Sequence, residues 1–334
     1  MDLAALRAHG IEPERMRALA LDGALLLFDR ESGLTVIADG PETAHLRQRA
    51  PRMVQMAITN ACNLSCAFCY RDEAPRSAWT VESAMELLSG LDAEGVLEVA
   101  FGGGEPLVFR RFATLLSRVH AETRLAASFT TNGVLLDRAL LRAIEGRFGM
   151  IRLSMYGETP FWDRVTLLAA EGARFGVNVI VWPERLPHLS ALAFELLERG
   201  CTDILFLRYH GHEPGLHLTA AQLRAMSDEV RALSRALGTE ARISVDVCWG
   251  DALHGVSRLP LGGPREGCGA GRDFVSIGSD RTMSACSFQS ARLPFESACE
   301  AVRLFRRERA LLAGAAPEPG CARREGRPSL PVVA

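Results

Sequence analysis

Residues 60–70 read NACNLSCAFCY, placing Cys62, Cys66 and Cys69 at CxxxCxxC spacing on one short stretch. Three thiolates so close together can hold three corners of a cubane [4Fe–4S] cluster. The fourth iron is then left without a protein ligand, and a metal with an open position can bind a substrate or a cofactor. A structural zinc ion is the alternative, and it normally requires a fourth Cys or His nearby. The loop contains none, and the next histidine is His120. A second chemistry-bearing stretch is Gly102-Gly103-Gly104-Glu105-Pro106. Its glycines let backbone groups approach a ligand closely, and Glu105 offers a carboxylate to an ammonium group.

CxxxCxxC with an aromatic, Phe68, before the last cysteine, followed after one helical pattern by GGGEP, resembles the radical S-adenosylmethionine (radical SAM) superfamily. The resemblance implies that Cys62, Cys66 and Cys69 hold the cluster that binds S-adenosylmethionine. It also implies that Phe68, Gly102, Gly103, Gly104 and Glu105 line the cofactor, with Glu105 facing the methionine ammonium. SFTTNG (128–133) and RLSMYG (152–157) resemble the ends of the family's third and fourth strands. On that match Ser154 touches the ribose or carboxylate of the cofactor, while Tyr156 stands where the family usually has Asp. Arg164 matches a family arginine that pairs with the methionine carboxylate, a solvated helix-face arginine being the alternative. Asn132 reads as a turn former before Gly133. The resemblance covers roughly residues 52–237.

Further cysteines gather near the C-terminus. Residues 267–286, GCGAGRDFVSIGSDRTMSAC, resemble the opening of the SPASM or Twitch extension carried by many members of the superfamily. With Cys248 before the segment and Cys321 after it, the resemblance gives Cys248, Cys268, Cys286 and Cys321 as ligands of one auxiliary [4Fe–4S] cluster. No CxxC follows Cys69, so a second auxiliary cluster is not expected. Buried thiols and a zinc site are the alternatives. Cys201 and Cys299 read as core residues, with Cys299 the substitute if Cys321 is not a ligand. His210, His212 and Asp246 sit just past strands, and the sequence does not rank them.

These loops need a scaffold. From Arg52 onward, apolar strand patterns at 53–59, 96–101, 125–130, 150–155, 177–181 and 203–207 alternate with helical ones at 81–91, 112–120, 135–145, 161–175 and 189–199. A sixth helix follows Thr219, which with Gln222 forms a capping-box signature. Six βα units imply an α/β fold with a parallel sheet, open or barrel-like, and the resemblance selects a partial (β/α)6 TIM-type barrel. The motifs all follow strands, and the carboxyl ends of parallel strands are where such sheets bind ligands. Residues 1–50 read as a short helix and a hairpin (23–29 and 34–39), residues 51–240 as the barrel, and residues 241–334 as a small Twitch/SPASM-like extension. After about Arg242 the strand–helix rhythm is expected to stop, leaving a β-hairpin region and a helix near 298–313.

Composition narrows the rest. The chain has 334 residues, 48% of them hydrophobic and 23% charged, enough to bury a core. A formal net charge of −2 gives no field that draws it to nucleic acid or an anionic membrane. All 38 basic residues are arginines, which removes lysine Schiff-base chemistry and a P-loop lysine. No run spans a bilayer and the start lacks a signal-peptide pattern, so a cytoplasmic location is expected, consistent with nine cysteines grouped for metal rather than for disulfides. By the resemblance, a reduced cluster gives one electron to bound S-adenosylmethionine, and the resulting 5′-deoxyadenosyl radical abstracts a substrate hydrogen. A flavodoxin- or ferredoxin-type reductant and a ribosomally made precursor peptide are the expected partners, the peptide being crosslinked, thioether-bridged or otherwise oxidised. The alternatives are a Twitch-type small-molecule dehydrogenase, acting for example on an amino sugar, and a non-catalytic iron–sulfur or zinc scaffold.

Overall fold

The computed structural model describes Arg7 and residues 12–71, 76–156, 160–211, 213–249, 268–289 and 292–314, with side chains to Glu308. The expected N-terminal helix, His212 and Cys321 lie outside the described residues. Two sheets form. β1 (Arg17–Ala20), β2 (Ala24–Phe28) and β3 (Thr35–Asp39) make an antiparallel sheet of three strands rather than the expected hairpin of two. The extra strand, four residues long, is too short to carry a readable period.

The second sheet holds β4 (Met53–Thr59), β5 (Glu98–Gly103), β6 (Ala126–Thr131), β7 (Met150–Ser154), β8 (Phe175–Val181), β9 (Asp203–Arg208), β10 (Arg242–Val245), β11 (Phe274–Ile277), β12 (Thr282–Ser284) and β13 (Leu293–Pro294). Its order is β10-β9-β8-β7-β6-β5-β4-β11-β12-β13, and every neighbouring pair from β10 to β11 is parallel. A doubly wound sheet would reverse its order at a switch point. This one runs in sequence from β4 to β10, so the crossovers wind one way around it, as in an incomplete barrel. The rhythm expected to stop near Arg242 instead adds β10, a further parallel strand. The C-terminal region also joins this sheet through β11, which lies against β4 in the register Phe274–Met53 to Ile277–Met56.

Helices α1 (Val81–Ala93), α2 (Phe112–Glu122), α3 (Arg138–Ile144), α4 (Phe161–Ala170), α5 (Leu189–Glu198), α6 (Ala220–Leu237) and α7 (Ala298–Gly314) connect or follow the strands. Reciprocal capping boxes start two of them, Thr80 with Ser83 on α1 and Thr219 with Gln222 on α6, so that donors left over by the first turn find acceptors. α4 ends at Ala170, short of the expected 161–175, because Phe175 already begins β8. A run of edge-on rings, Phe101–Phe112–Phe129–Phe148, with centroids 5.3–6.0 Å apart, ties α2 to β5 and β6. Among the described residues no helix is long and apolar enough to cross a membrane.

The amino ends of the strands are closed by packing and charge. Leu19, Leu26 and Phe28 of the three-stranded sheet form a cluster with Leu97 and Ala126, at the entries to β5 and β6. Asp203, at the start of β9, is 8% exposed and takes two arginines: Arg152 from β7 at 2.7 Å, and Arg242 from β10. Arg152 reaches it by crossing β8 at Gly176, where a β-carbon would stand 2.6 Å from the guanidinium. Arg152 is 11% exposed and Arg242 48%. Asp203→Ala would leave Arg152 charged and buried without its counter-ion, a loss of about 3–5 kcal/mol. Arg242→Ala breaks the more exposed arm and should cost at most about 1 kcal/mol. Urea denaturation of the two variants tests the contrast; equal losses would contradict it.

Candidate metal and cofactor site

The loop of three cysteines starts where β4 ends. Asn60 N donates to Ser77 Oγ at 2.7 Å, Ala61 N to Thr59 Oγ1 at 3.1 Å, and Cys69 N to the Cys66 carbonyl at 3.0 Å. Arg71 returns to Asn60 Oδ1 at 2.6 Å, pinning the far end of the loop to its root. Cys62 and Cys66 are half-buried and Cys69 is exposed. These three thiols do not draw together within 4.8 Å. The ligands of a single tetrahedral zinc would stand roughly 3.8 Å apart, so the loop is not gathered around one ion.

The GGGEP segment lies against this root. Gly104 N donates to the Thr59 carbonyl at 2.8 Å and Glu105 N to the Ala61 carbonyl at 2.9 Å. Gly103 has φ 112°, and a β-carbon there would meet the Thr59 carbonyl oxygen at 2.2 Å. A β-carbon on Gly104 would meet the Ala61 carbonyl oxygen at 2.0 Å. Only glycine allows the two strand ends to close up in this way. At Gly102 there is open space.

Glu105 is 1% exposed and faces inward. Its carboxylate accepts from Leu107 N at 3.0 Å, Thr131 Oγ1 at 2.8 Å and Asn132 N at 2.8 Å. Burial raises its pKa, and these three donors work in the opposite direction. It thus holds the end of β6, leaving room for about one further donor among its lone pairs. Asn132, read from sequence as a turn former, is a node: its Nδ2 donates to Asn63 Oδ1 at 2.8 Å, joining β6 to the cysteine loop, while its Oδ1 accepts from Val134 N at 3.0 Å.

The other expected cofactor residues share this end of the sheet. Phe68 packs on Tyr156 and Trp182 with centroids 5.2 and 5.9 Å apart, against the ends of β7 and β8. Ser154, 4% exposed, hydrogen-bonds Tyr156, whose phenol is pushed up by burial. Arg164 Nε donates to the Gly133 carbonyl at 2.9 Å, so this arginine braces the turn after β6.

A second group of thiols forms beyond β10. Cys248 and Cys286 are buried and Cys268 half-buried. Burial pushes the Cys248 thiol well up, and the neighbouring charges of Asp246, Cys268 and Cys286 add to this. Burial likewise pushes the Asp246 carboxyl up to about 7. Groups that raise one another in this way are relieved by a cation, and metal binding would release their protons. Cys201 is a core residue, as expected, its thiol pushed up to about 11 by burial. Cys299 is not: it is exposed on α7, whose buried stripe is Ala298, Ala301, Val302 and Phe305. The expectation of a core Cys299 missed this because the stripe passes one position to its side.

The two thiol groups are joined by rings that sequence reasoning missed. Tyr70, next to Cys69, packs at a tilt against Phe288 with centroids 4.2 Å apart, and Phe288 packs likewise against His210 at 4.2 Å. The Tyr70 hydroxyl lies 3.1 Å from Ser287 Oγ. No sequence signal links residues more than two hundred positions apart.

The geometry fits a three-cysteine cluster with S-adenosylmethionine beside it: three thiols on one loop, held apart, with a glycine-edged strand end packed on the loop's root. Comparisons agree. Residues 56–174, from β4 to the entry of β8, match the family model of the Radical SAM superfamily. A probable GTP 3′,8-cyclase of Methanopyrus kandleri is 37% identical over 211 residues, covering 56% of this chain and 67% of that one. The chain spans only 32% of the GTP 3′,8-cyclase of Chlorobaculum tepidum, at 34% identity. The PqqA peptide cyclase of Gluconobacter oxydans is 29% identical over 269 residues, 71% of this chain and 70% of that one. The fold is shared with Streptococcus suis SuiB bound to its precursor peptide SuiA, at 14% identity, a TM-score of 0.70 and 87% coverage of both chains. Cysteine loop, glycine-edged turn, sequential parallel sheet and relatives all agree, and the chain belongs to the radical SAM superfamily, whose members use a [4Fe–4S] cluster and S-adenosylmethionine.

Proposed function

We propose that this chain modifies a ribosomally made peptide by C–H functionalisation, forming a crosslink, thioether or similar oxidised product. The observation that carries the reading is the convergence of two thiol groups on one end of the sheet, joined through Tyr70, Phe288 and His210. Similarity to the PqqA peptide cyclase over about 70% of both chains supports a peptide as the substrate. In this reading residues 51–240 generate the radical and residues 241–334 hold an auxiliary cluster, while the sheet β1–β3 within residues 1–50 packs at the amino ends of β5 and β6. When bound and reduced, the cluster and S-adenosylmethionine supply a 5′-deoxyadenosyl radical that takes a hydrogen atom from the substrate.

The chain's own residues position and shield. Cys62, Cys66 and Cys69 would hold the cluster that binds S-adenosylmethionine. Gly103 and Gly104 keep the loop's root against β5. Glu105 fixes the end of β6 and offers its remaining lone pair to the methionine ammonium. Phe68, Tyr156 and Trp182 form an apolar wall beside the loop that excludes water. Cys248, Cys268 and Cys286 would hold an auxiliary cluster, which would supply an electron acceptor for an oxidative reaction. A flavodoxin- or ferredoxin-type protein is the reductant, reaching the exposed Cys69 side of the loop. The identity with the Methanopyrus kandleri relative favours a second reading, a small-molecule nucleotide substrate. Turnover with GTP and none with peptides encoded beside the gene would select it.

Anaerobically reconstituted, reduced protein is expected to cleave S-adenosylmethionine to 5′-deoxyadenosine. Cleavage that survives replacement of Cys62, Cys66 and Cys69 together by Ala would refute the radical reading. Glu105→Ala removes the methionine contact and strands buried donors of β6. Binding of S-adenosylmethionine to cluster-loaded protein should weaken by about 1.5–3 kcal/mol, roughly ten- to hundredfold, with iron retained. Unchanged affinity would restrict Glu105 to its internal role. The wild-type chain should hold about eight irons and the triple cysteine variant about four. Iron analysis that finds none in the variant removes the auxiliary cluster.

A further inference from the structure

The loops after β9 and β10 bring His210, Asp246 and Cys248 together. An imidazole nitrogen, a carboxylate oxygen and a thiol sulfur, one from each, all lie within 4.8 Å of one another. Among the described residues no other group of His, Cys, Asp and Glu closes to such a distance. The backbone explains it. Phe206 pairs with Val245 in parallel register, so the two chains leave the sheet side by side. Asp246 N and Trp249 Nε1 both donate to the Phe206 carbonyl, at 3.1 and 2.9 Å, folding the loop after β10 back onto β9. Arg208 N donates to Asp246 Oδ2 and Arg208 Nη1 to the Cys248 carbonyl, both at 3.3 Å. The His210 ring packs at a tilt against Phe288, which steadies its plane. The fold itself therefore places all three side chains.

A separate observation points to a ligand here. The second carboxylate oxygen, Asp246 Oδ1, is buried and has no hydrogen-bond partner. A buried acceptor left in that state is costly, and a cation beside it removes the cost. Cys248 is buried too, so the ion that fits must leave little net charge. One thiolate, one carboxylate and one neutral imidazole balance a doubly charged ion. Ligands of one tetrahedral zinc stand roughly 3.3–3.8 Å apart, a spacing that these three reach with small side-chain movements. Magnesium and calcium prefer oxygen alone, whereas sulfur, nitrogen and oxygen together suit zinc.

We propose that His210, Asp246 and Cys248 bind a single zinc ion, with the fourth position of the tetrahedron open to water. Three protein ligands and one open position mark zinc sites that exchange a ligand, as opposed to closed structural ones. The site goes beyond the peptide reading and does not depend on it. It shares Cys248 with the auxiliary cluster of that reading, so ion and cluster are alternative occupants of this thiol. The ion occupies chains in which that cluster is absent.

The test uses the full-length chain with Cys62, Cys66 and Cys69 replaced by Ala and purified without iron, so that the first loop holds no metal. Zinc is expected to bind at one per chain. X-ray absorption at the zinc edge should then show a single sulfur neighbour among nitrogen and oxygen ones. Cobalt in place of zinc should give a thiolate charge-transfer band. His210→Ala and Asp246→Asn should each weaken zinc at least about tenfold. Cys248→Ser should abolish the cobalt band, whereas Cys268→Ala and Cys286→Ala should leave zinc affinity and band unchanged. Circular dichroism of each variant checks that it is folded, and the sulfur count needs none of these further variants. No bound zinc, two or more sulfurs around it, or binding lost in folded Cys268→Ala or Cys286→Ala overturns the assignment. Iron content after separate reconstitution of the same chain reports on the auxiliary cluster, so failure of that reading and failure of the zinc site are told apart.

Discussion

The contact on which the rest of the site depends is the approach of two strand ends that leaves no room for a β-carbon. The carbonyl oxygens of Thr59 and Ala61 stand 2.2 and 2.0 Å from where side chains of residues 103 and 104 would begin. Backbone hydrogen bonds from Gly104 and Glu105 fill that narrow gap. Because the root of the cysteine loop is bonded to the neighbouring strand, the three thiols inherit the rigidity of the sheet rather than the freedom of a surface loop. Glu105 extends the same lattice one strand further through Thr131 and Asn132, and Asn132 returns to the loop at Asn63. The turns that would contact a cofactor are therefore ordered before it arrives, which lowers the entropy lost on binding.

How much of this was legible in the sequence follows from the range of each interaction. The central strands and helices β4–β9 and α1–α6 carry their own period, so their existence and order could be read locally. The expected C-terminal hairpin is there as β11 and β12, but its pairing with β4 across more than two hundred positions could not be read, nor could β10, four residues long and a strand only because β9 offers an edge to pair with. The same limit applies to the site. CxxxCxxC and GGGEP are local patterns with a local physical meaning. Asn132, Phe288 and the His210–Asp246 pair acquire roles only through neighbours distant in sequence. Cys299 failed for a subtler reason: helix periodicity says that a face is buried, but one residue of phase decides which.

The two thiol groups differ in surroundings in a way that matches different tasks. Those of the first loop are half-buried or exposed, open to a cofactor and to an electron from outside. Cys248 and Cys286 are buried, beside a carboxyl raised by the same burial. A cluster in the second place would be shielded from solvent and from external donors. The tilted ring contacts of His210, Phe288 and Tyr70 lead from this region toward Cys69. The two groups thus differ in access: one is open to its surroundings and the other is largely closed to them.

Stability and chemistry are also kept at opposite ends of the strands. The three-stranded sheet packs on the entries to β5 and β6, and the Arg152–Asp203–Arg242 triad locks the entries to β9 and β10 to β7. Both devices lie toward the amino ends, away from the described residues expected to meet the cofactor. An ion triad partly out of water is poor evidence of net stabilisation, since desolvation offsets much of the attraction. What it supplies is register: Arg152 passes over Gly176 to reach Asp203, and a slip of β8 by one residue would place a side chain in its path. Register fixed at the amino ends is transmitted along rigid strands to the carboxyl ends. There it decides that Thr131 and Asn132 meet Glu105, and that His210 meets Asp246.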